Sequence, residues 1–138
     1  MKTLSKKLAE NLAYFTKDVS KRCIDDRHNC RYSGQSLGIK TKGCFVGALL
    51  PQKLRLQLDG YGNNGVNDIV DLAFESEGEL VLPKIITENK GIMTGFQKIH
   101  DDNSLWNSSG LNENGVKLLI ALVNKFDDLD MEDFKEFL

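Results

Sequence analysis

The run Leu4-Ser5-Lys6-Lys7-Leu8-Ala9-Glu10-Asn11-Leu12-Ala13-Tyr14-Phe15-Thr16-Lys17-Asp18-Val19 sets Leu4, Leu8, Leu12, Phe15 and Val19 at spacings of three or four. That period is the turn of an α-helix, so the stripe marks one buried face on an otherwise polar cylinder. Thr3 stands where an N-cap hydroxyl is wanted. The same period returns in Val66, Ile69, Val70, Ala73 and Phe74, in Ile92, Met93, Phe96 and Ile99, and in Val116, Leu119, Ile120, Val123 and Phe126. The spacing predicts a mainly α fold with at most a small hairpin, a compact single domain over residues 1–138.

Between the helical stripes lie segments of other character. Lys21 to Asn29 is polar and aperiodic, which predicts a loop leading to a short extended piece at Arg31-Tyr32, and Gly34 to Gly43 suits a hairpin-like turn. Gly43-Cys44-Phe45-Val46-Gly47-Ala48-Leu49-Leu50-Pro51 is a compact apolar run whose small residues suit close packing of a strand or short helix against the first helix. Asp59 to Gly65 has turn composition and precedes a helix predicted over Asn67 to Phe74, with Asn67 as its cap. Leu80 to Pro83 reads as extended. Leu111 and Asn112 suit a staple and a cap for the last long helix, expected to bury against the first. Asp127 to Leu138 then interleaves six acids and one lysine with Leu129, Met131, Phe134 and Phe137, an acidic amphipathic C-terminal tail.

Of the 138 residues, 41% are hydrophobic and 28% charged, ordinary usage for one globular domain. The N-terminus opens on charge with no apolar signal region, and no apolar run is long enough to cross a bilayer. A cytoplasmic protein without membrane partners is expected. Three cysteines, Cys23, Cys30 and Cys44, in such a chain point to reduced thiols rather than a disulfide framework. The net charge of −2 divides unevenly, with 12 Lys/Arg and 4 Asp/Glu in residues 1–55 against 6 and 16 in residues 56–138. Such halves either neutralise each other on packing or present an interaction surface.

Several constellations carry the residue types of a site. Cys23, His28, Cys30 and Cys44 supply the donors of a tetrahedral zinc site, but C-x4-H-x-C-x13-C lacks the tight ligand pairs of structural zinc. Cys30 among Arg27, His28 and Arg31 has the electropositive setting of a nucleophile without a recognised partner signature. His100-Asp101 could hold a metal given further histidines, and the chain has just His28 besides. A half-buried ring near Trp106, closing its helix, is the expected state of His100. Gly60 to Gly65 lacks the lysine and hydroxyl of a phosphate loop. Arg22, Arg27, Arg31, Lys40 and Lys42 beside Tyr32 and Phe45 could meet phosphates and bases, but a pI of 5.7 disfavours a dedicated nucleic-acid binder.

Taken in order, Cys30-x-Tyr32, Gly43-Cys44-Phe45-Val46-Gly47-Ala48-Leu49-Leu50-Pro51, Phe96-Gln97-Lys98-Ile99-His100-Asp101, Trp106 and the Leu111 helix resemble a group of small proteins of bacteria and their phages. That group is marked by Cys-x-Tyr, a glycine-rich insert, Cys-x-Val-Gly-x-Leu-Ile/Leu-Pro, Gln-x-x-His-Asp at a helix end and a following Trp. The similarity spans about residues 1–126 by order of elements and leaves Cys23, His28 and the acidic tail outside the pattern. It implies a layout and no mechanism, and small size with phage association suits an accessory or inhibitor protein.

The resulting expectation is a non-enzymatic protein, without catalytic residues, metal or cofactor, that captures a protein partner or a small anionic ligand. Arg27, Arg31, Tyr32, His100, Asp101 and Trp106 are the candidate binding residues, and Cys30, Cys44, Gly43 and Gly47 the structural ones. A small metal- or cysteine-dependent hydrolase and a structural homo-oligomer are the alternatives.

Overall fold

The computed structural model describes residues 3–23, 32–33, 42–61 and 65–138. The readings placed on Arg27, His28, Cys30, Arg31, Lys40 and the Gly34 turn lie outside the described residues. The fold is mainly helical and compact. Helix α1, Leu4–Lys17, begins where the Thr3 hydroxyl accepts from the Lys6 amide at 3.2 Å, and a 3-10 turn, Val19–Lys21, follows it. Helices α2, Gln52–Asp59, and α3, Val66–Glu75, precede the short α4, Lys84–Thr87. Helix α5, Lys90–Asp101, and helix α6, Glu113–Lys125, flank a two-stranded antiparallel hairpin, β1 Trp106–Asn107 and β2 Gly110–Leu111. A 3-10 helix, Met131–Phe137, ends the chain.

The small hairpin therefore lies at Trp106–Leu111, and α2 forms where the sequence suggested no element. Leu54, Leu56 and Leu58 alternate with charged or polar residues, a strand-like pattern, but Pro51 fixes the backbone just before a first helical turn and the chain coils from Gln52. Helix α3 is capped two residues earlier than Asn67: the Asp68 carboxylate accepts from the Gly65 amide at 3.3 Å. Its Val66 and Ile69 are buried, whereas Phe74 projects into solvent at 88% exposure. Phe74 sits some 80° round the helix from Val66, at the edge of the stripe, where the chain is about to leave the helix. In the extended Leu80–Pro83 run Leu80 and Leu82 are buried and Val81 points out.

Helix α6, capped by the Asn112 side chain accepting from the Gly115 amide, packs chiefly on α5 rather than on α1. The C-terminal 3-10 helix lies instead on α1 and α6. One contiguous core joins these elements. A column of rings threads it: Phe134 stacks on Phe96 at 5.8 Å, Phe96 on Phe45 at 4.9 Å, and Phe45 meets Phe15 at 6.2 Å. No helix among the described residues is long and apolar enough to cross a membrane.

Candidate functional site

The two motifs singled out in the sequence, Gly43-Cys44-Phe45-Val46-Gly47 and Gln97-x-x-His100-Asp101, meet in the core. The Phe45–Val46 peptide is buried, so its carbonyl and amide need partners inside the protein. Asn11 on α1 donates its Nδ2 to the Phe45 carbonyl at 2.8 Å, and Gln97 Oε1 on α5 accepts from the Val46 amide at 3.0 Å. One peptide unit is thereby held from two helices. Gln97 Nε2 in turn donates to Asp101 Oδ1 at 2.7 Å, which fixes the carboxylate beside His100.

His100 is 1% exposed, more deeply buried than its sequence position suggested, because Phe15 of α1 packs edge-on against the ring with centroids 4.8 Å apart. Its Nε2 lies 3.3 Å from the Cys23 amide nitrogen, a group that donates, so Nε2 is the unprotonated acceptor. The ring proton is then on Nδ1, which donates to Asp101 Oδ1 at 2.7 Å. Burial lowers the imidazole pKa, and the hydrogen bond to Asp101 opposes it less strongly. Arg22 donates through Nε and Nη2 to the His100 carbonyl at 2.9 and 2.6 Å, satisfying an end-of-helix acceptor. The same guanidinium reaches Asn103 Oδ1 and lies 4.7 Å from the Trp106 ring centre, while Trp106 Nε1 donates to the Ile99 carbonyl at 2.8 Å.

The second motif pair closes in the same way. Asp59 at the end of α2 accepts from the amides of Tyr32 and Ser33 at 2.7 and 3.0 Å, and Gln52 donates to Ser33 Oγ. Tyr32, at 1% exposure, lies over the turn carrying Gly43 and Gly47. Gly43 has φ of +100°, and a Cβ at either glycine would fall on the Tyr32 carbonyl.

Of the sequence candidates, the structure thus brings Tyr32, Gly43, Cys44 and Gly47 together under α2, and His100, Asp101 and Trp106 together at the end of α5. All but Asp101 are buried, and Cys44 is a buried free thiol. Asn11, Asp59 and Arg22 do comparable work that the sequence reading missed or placed elsewhere. Asn11 could have been found, since it sits three after Leu8 and four before Phe15, on the buried stripe. The described residues hold no cluster of three or more His, Cys, Asp or Glu that could bind a metal ion.

The accessible feature lies on the opposite flank of α5. A groove of about 370 Å³ runs between α5 and α6, floored by Ile99 and Leu105 and walled by Leu118 and Leu122. Leu118 is 49% exposed there. Gly95 lets the two helices close, because a Cβ would fall on Leu122. Lys98 of α5 and Lys125 of α6 stand along the groove with Asp102. The Asp102 carboxylate is turned to its own turn, accepting from the Ser104 hydroxyl at 2.6 Å and amide at 2.9 Å, bonds that hold its pKa below the usual value. Comparison with protein families, curated proteins and solved structures finds no match to this chain.

Proposed function

We propose that this chain acts by binding, and that the groove between α5 and α6 takes an acidic, apolar-faced helical segment of a protein partner. The groove carries this reading: Leu118 is half exposed and Leu122 partly so above a buried floor, in a furrow that one lysine from each helix also lines. Two packed helices leave a furrow into which the ridge of a third can lie. Lys98 and Lys125 favour carboxylates on that third helix; Asp102, kept ionised by its bonds from Ser104, offsets one of them and leaves the lining net positive. Capture of this kind suits an accessory or inhibitor protein of a bacterium or phage. Arg22, Gln97, His100 and Asp101 support it from behind by fixing α5 against α1 and the Phe45–Val46 turn. A hydrolytic reading would require that latch to open, since both ring nitrogens of His100 are bonded inside the protein.

A labelled amphipathic peptide of roughly 14 residues, four helical turns, with leucines on one face and glutamates on the other, tests the reading by fluorescence anisotropy. It should bind the wild type and lose about tenfold in affinity to the double reversal Lys98→Glu/Lys125→Glu, equivalent to about 1.4 kcal/mol. Leu118→Asp should abolish binding. A peptide with lysines for glutamates that binds equally well, or acidic binding untouched by Leu118→Asp, overturns the proposal.

A further inference from the structure

The chain carries an occupant of the chemistry its own groove fits. Phe74 on α3 is 88% exposed, against 41% for Leu56, 44% for Tyr61, 49% for Leu118, 54% for Leu138 and 70% for Val81. On the same helix and the turn that follows, Asp71, Glu75, Glu77 and Glu79 are exposed, Asp68 being taken up as the helix cap, and α3 contains no lysine or arginine. An aromatic knob on an acidic helix complements an apolar groove whose lining, two lysines and one carboxylate, is net positive. A cavity of about 150 Å³ admits a benzene-sized group, so the 370 Å³ groove accommodates a phenyl ring with space beside it. Phe74 does not fill the groove of its own molecule, because it stands in solvent.

We infer that α3 of a second copy docks in the α5/α6 groove, with Phe74 inserted between Lys98 and Lys125, and that the protein self-associates head to tail. This rests on the reading of the groove as a docking site. Charge selects the arrangement. Groove against groove sets Lys98 and Lys125 against their own copies, and α3 against α3 sets acid against acid; knob into groove pairs opposite signs. Knob and groove are different surfaces of one chain, so each added copy leaves one of each free, and the contact propagates to a ring or an open chain. A contact built on one ring is below the standard size of a stable interface, so weak association is expected, weakening further as salt screens the lysines.

Sedimentation velocity from about 10 µM to 1 mM at low salt, the range in which weak association registers, tests the inference. The wild-type average mass should rise with concentration, and Phe74→Asp and Leu118→Asp, both at exposed positions, should each remain monomeric with unchanged circular dichroism and melting temperature. An equimolar mixture of the two variants should form a dimer and nothing larger, because one supplies an intact groove and the other an intact knob. A wild type monomeric throughout, self-association surviving Phe74→Asp, or a mixture that stays monomeric overturns the inference. Phe74→Asp keeps its groove, so if it binds the acidic peptide while the wild type stays monomeric, self-docking falls and the proposed function stands. If the mixture dimerises but the peptide does not bind, self-docking stands and the acidic partner falls.

Discussion

At the residue scale, His100 shows how a group with catalytic credentials is committed to architecture. Its Nε2 accepts from the Cys23 amide and its Nδ1 donates to Asp101, so the neutral ring satisfies one contact of each kind. Protonation puts a second N–H against the Cys23 amide, donor against donor, and adds charge beside Arg22 in a buried site. Phe15 supplies no counter-charge from α1; Asp101 alone favours the cation. The folded pKa therefore lies below the unfolded value of 6.5. A lowered histidine pKa means the unfolded chain binds the extra proton first, so the stabilisation is complete above pH 6.5 and is lost as pH falls from there toward the folded pKa. Denaturant midpoints from pH 7.5 to 4.5 should show the wild type losing up to about 1.4 kcal/mol per pH unit below that point relative to His100→Gln. Glutamine offers an acceptor without titrating, and parallel pH profiles for the two proteins would refute the assignment.

At the scale of elements, the Gly43–Gly47 turn is where sequence and structure agree for a reason the residue types alone do not disclose. The apolar run was legible as core, and Cys44, Phe45 and Val46 are fully buried. What fixes it is lateral: Tyr32 lies across both glycines, and α2 holds Tyr32 and Ser33 through Asp59. Gly47→Ala pushes a methyl group into a backbone carbonyl, which no rotamer change relieves. A loss of about 3 kcal/mol, the upper end for overpacking, is expected in urea denaturation, whereas a loss under about 0.5 kcal/mol, the scale of an ordinary surface change, would show that Tyr32 moves away freely. The long helices were legible because their apolar stripes run for three or more turns and their caps, Thr3 and Asn112, are of the strongest types. Helix α2 was not, since its leucines alternate as in a strand and its start is set by Pro51. The groove was not legible either: Ile99 and Leu118 read as core stripe or stray leucine until α5 and α6 are laid side by side.

For the whole molecule, the decisive feature is that the two chain ends share one core. The acidic tail reads in sequence as an amphipathic segment, and its apolar side settles on the protein itself: Phe134 is fully buried and continues the ring column through Phe96 and Phe45 to Phe15 of α1. Ser5 near the start of α1 accepts from the Asp130 amide at 2.9 Å, closing the first helix to the last. The acids of the tail are mostly at the surface while Leu129 and Phe134 are buried and Met131 and Phe137 pack against the core, so charge and burial are largely separated along it. The tail therefore acts as a stability element. Truncating Phe134 to alanine removes a stacked ring and leaves a cavity between α1 and α6, at a cost of about 3–5 kcal/mol. Against the 5–15 kcal/mol typical of a domain, roughly half the protein's resistance to urea would go, with the slope of the transition unchanged. Neutralising the exposed Asp127 and Asp128 to asparagine should leave the midpoint within about 0.5 kcal/mol, as for surface positions generally. The reverse result, with Phe134→Ala neutral and the charge variants costly, would mean that the tail is held by its carboxylates and that the ring column ends at Phe96.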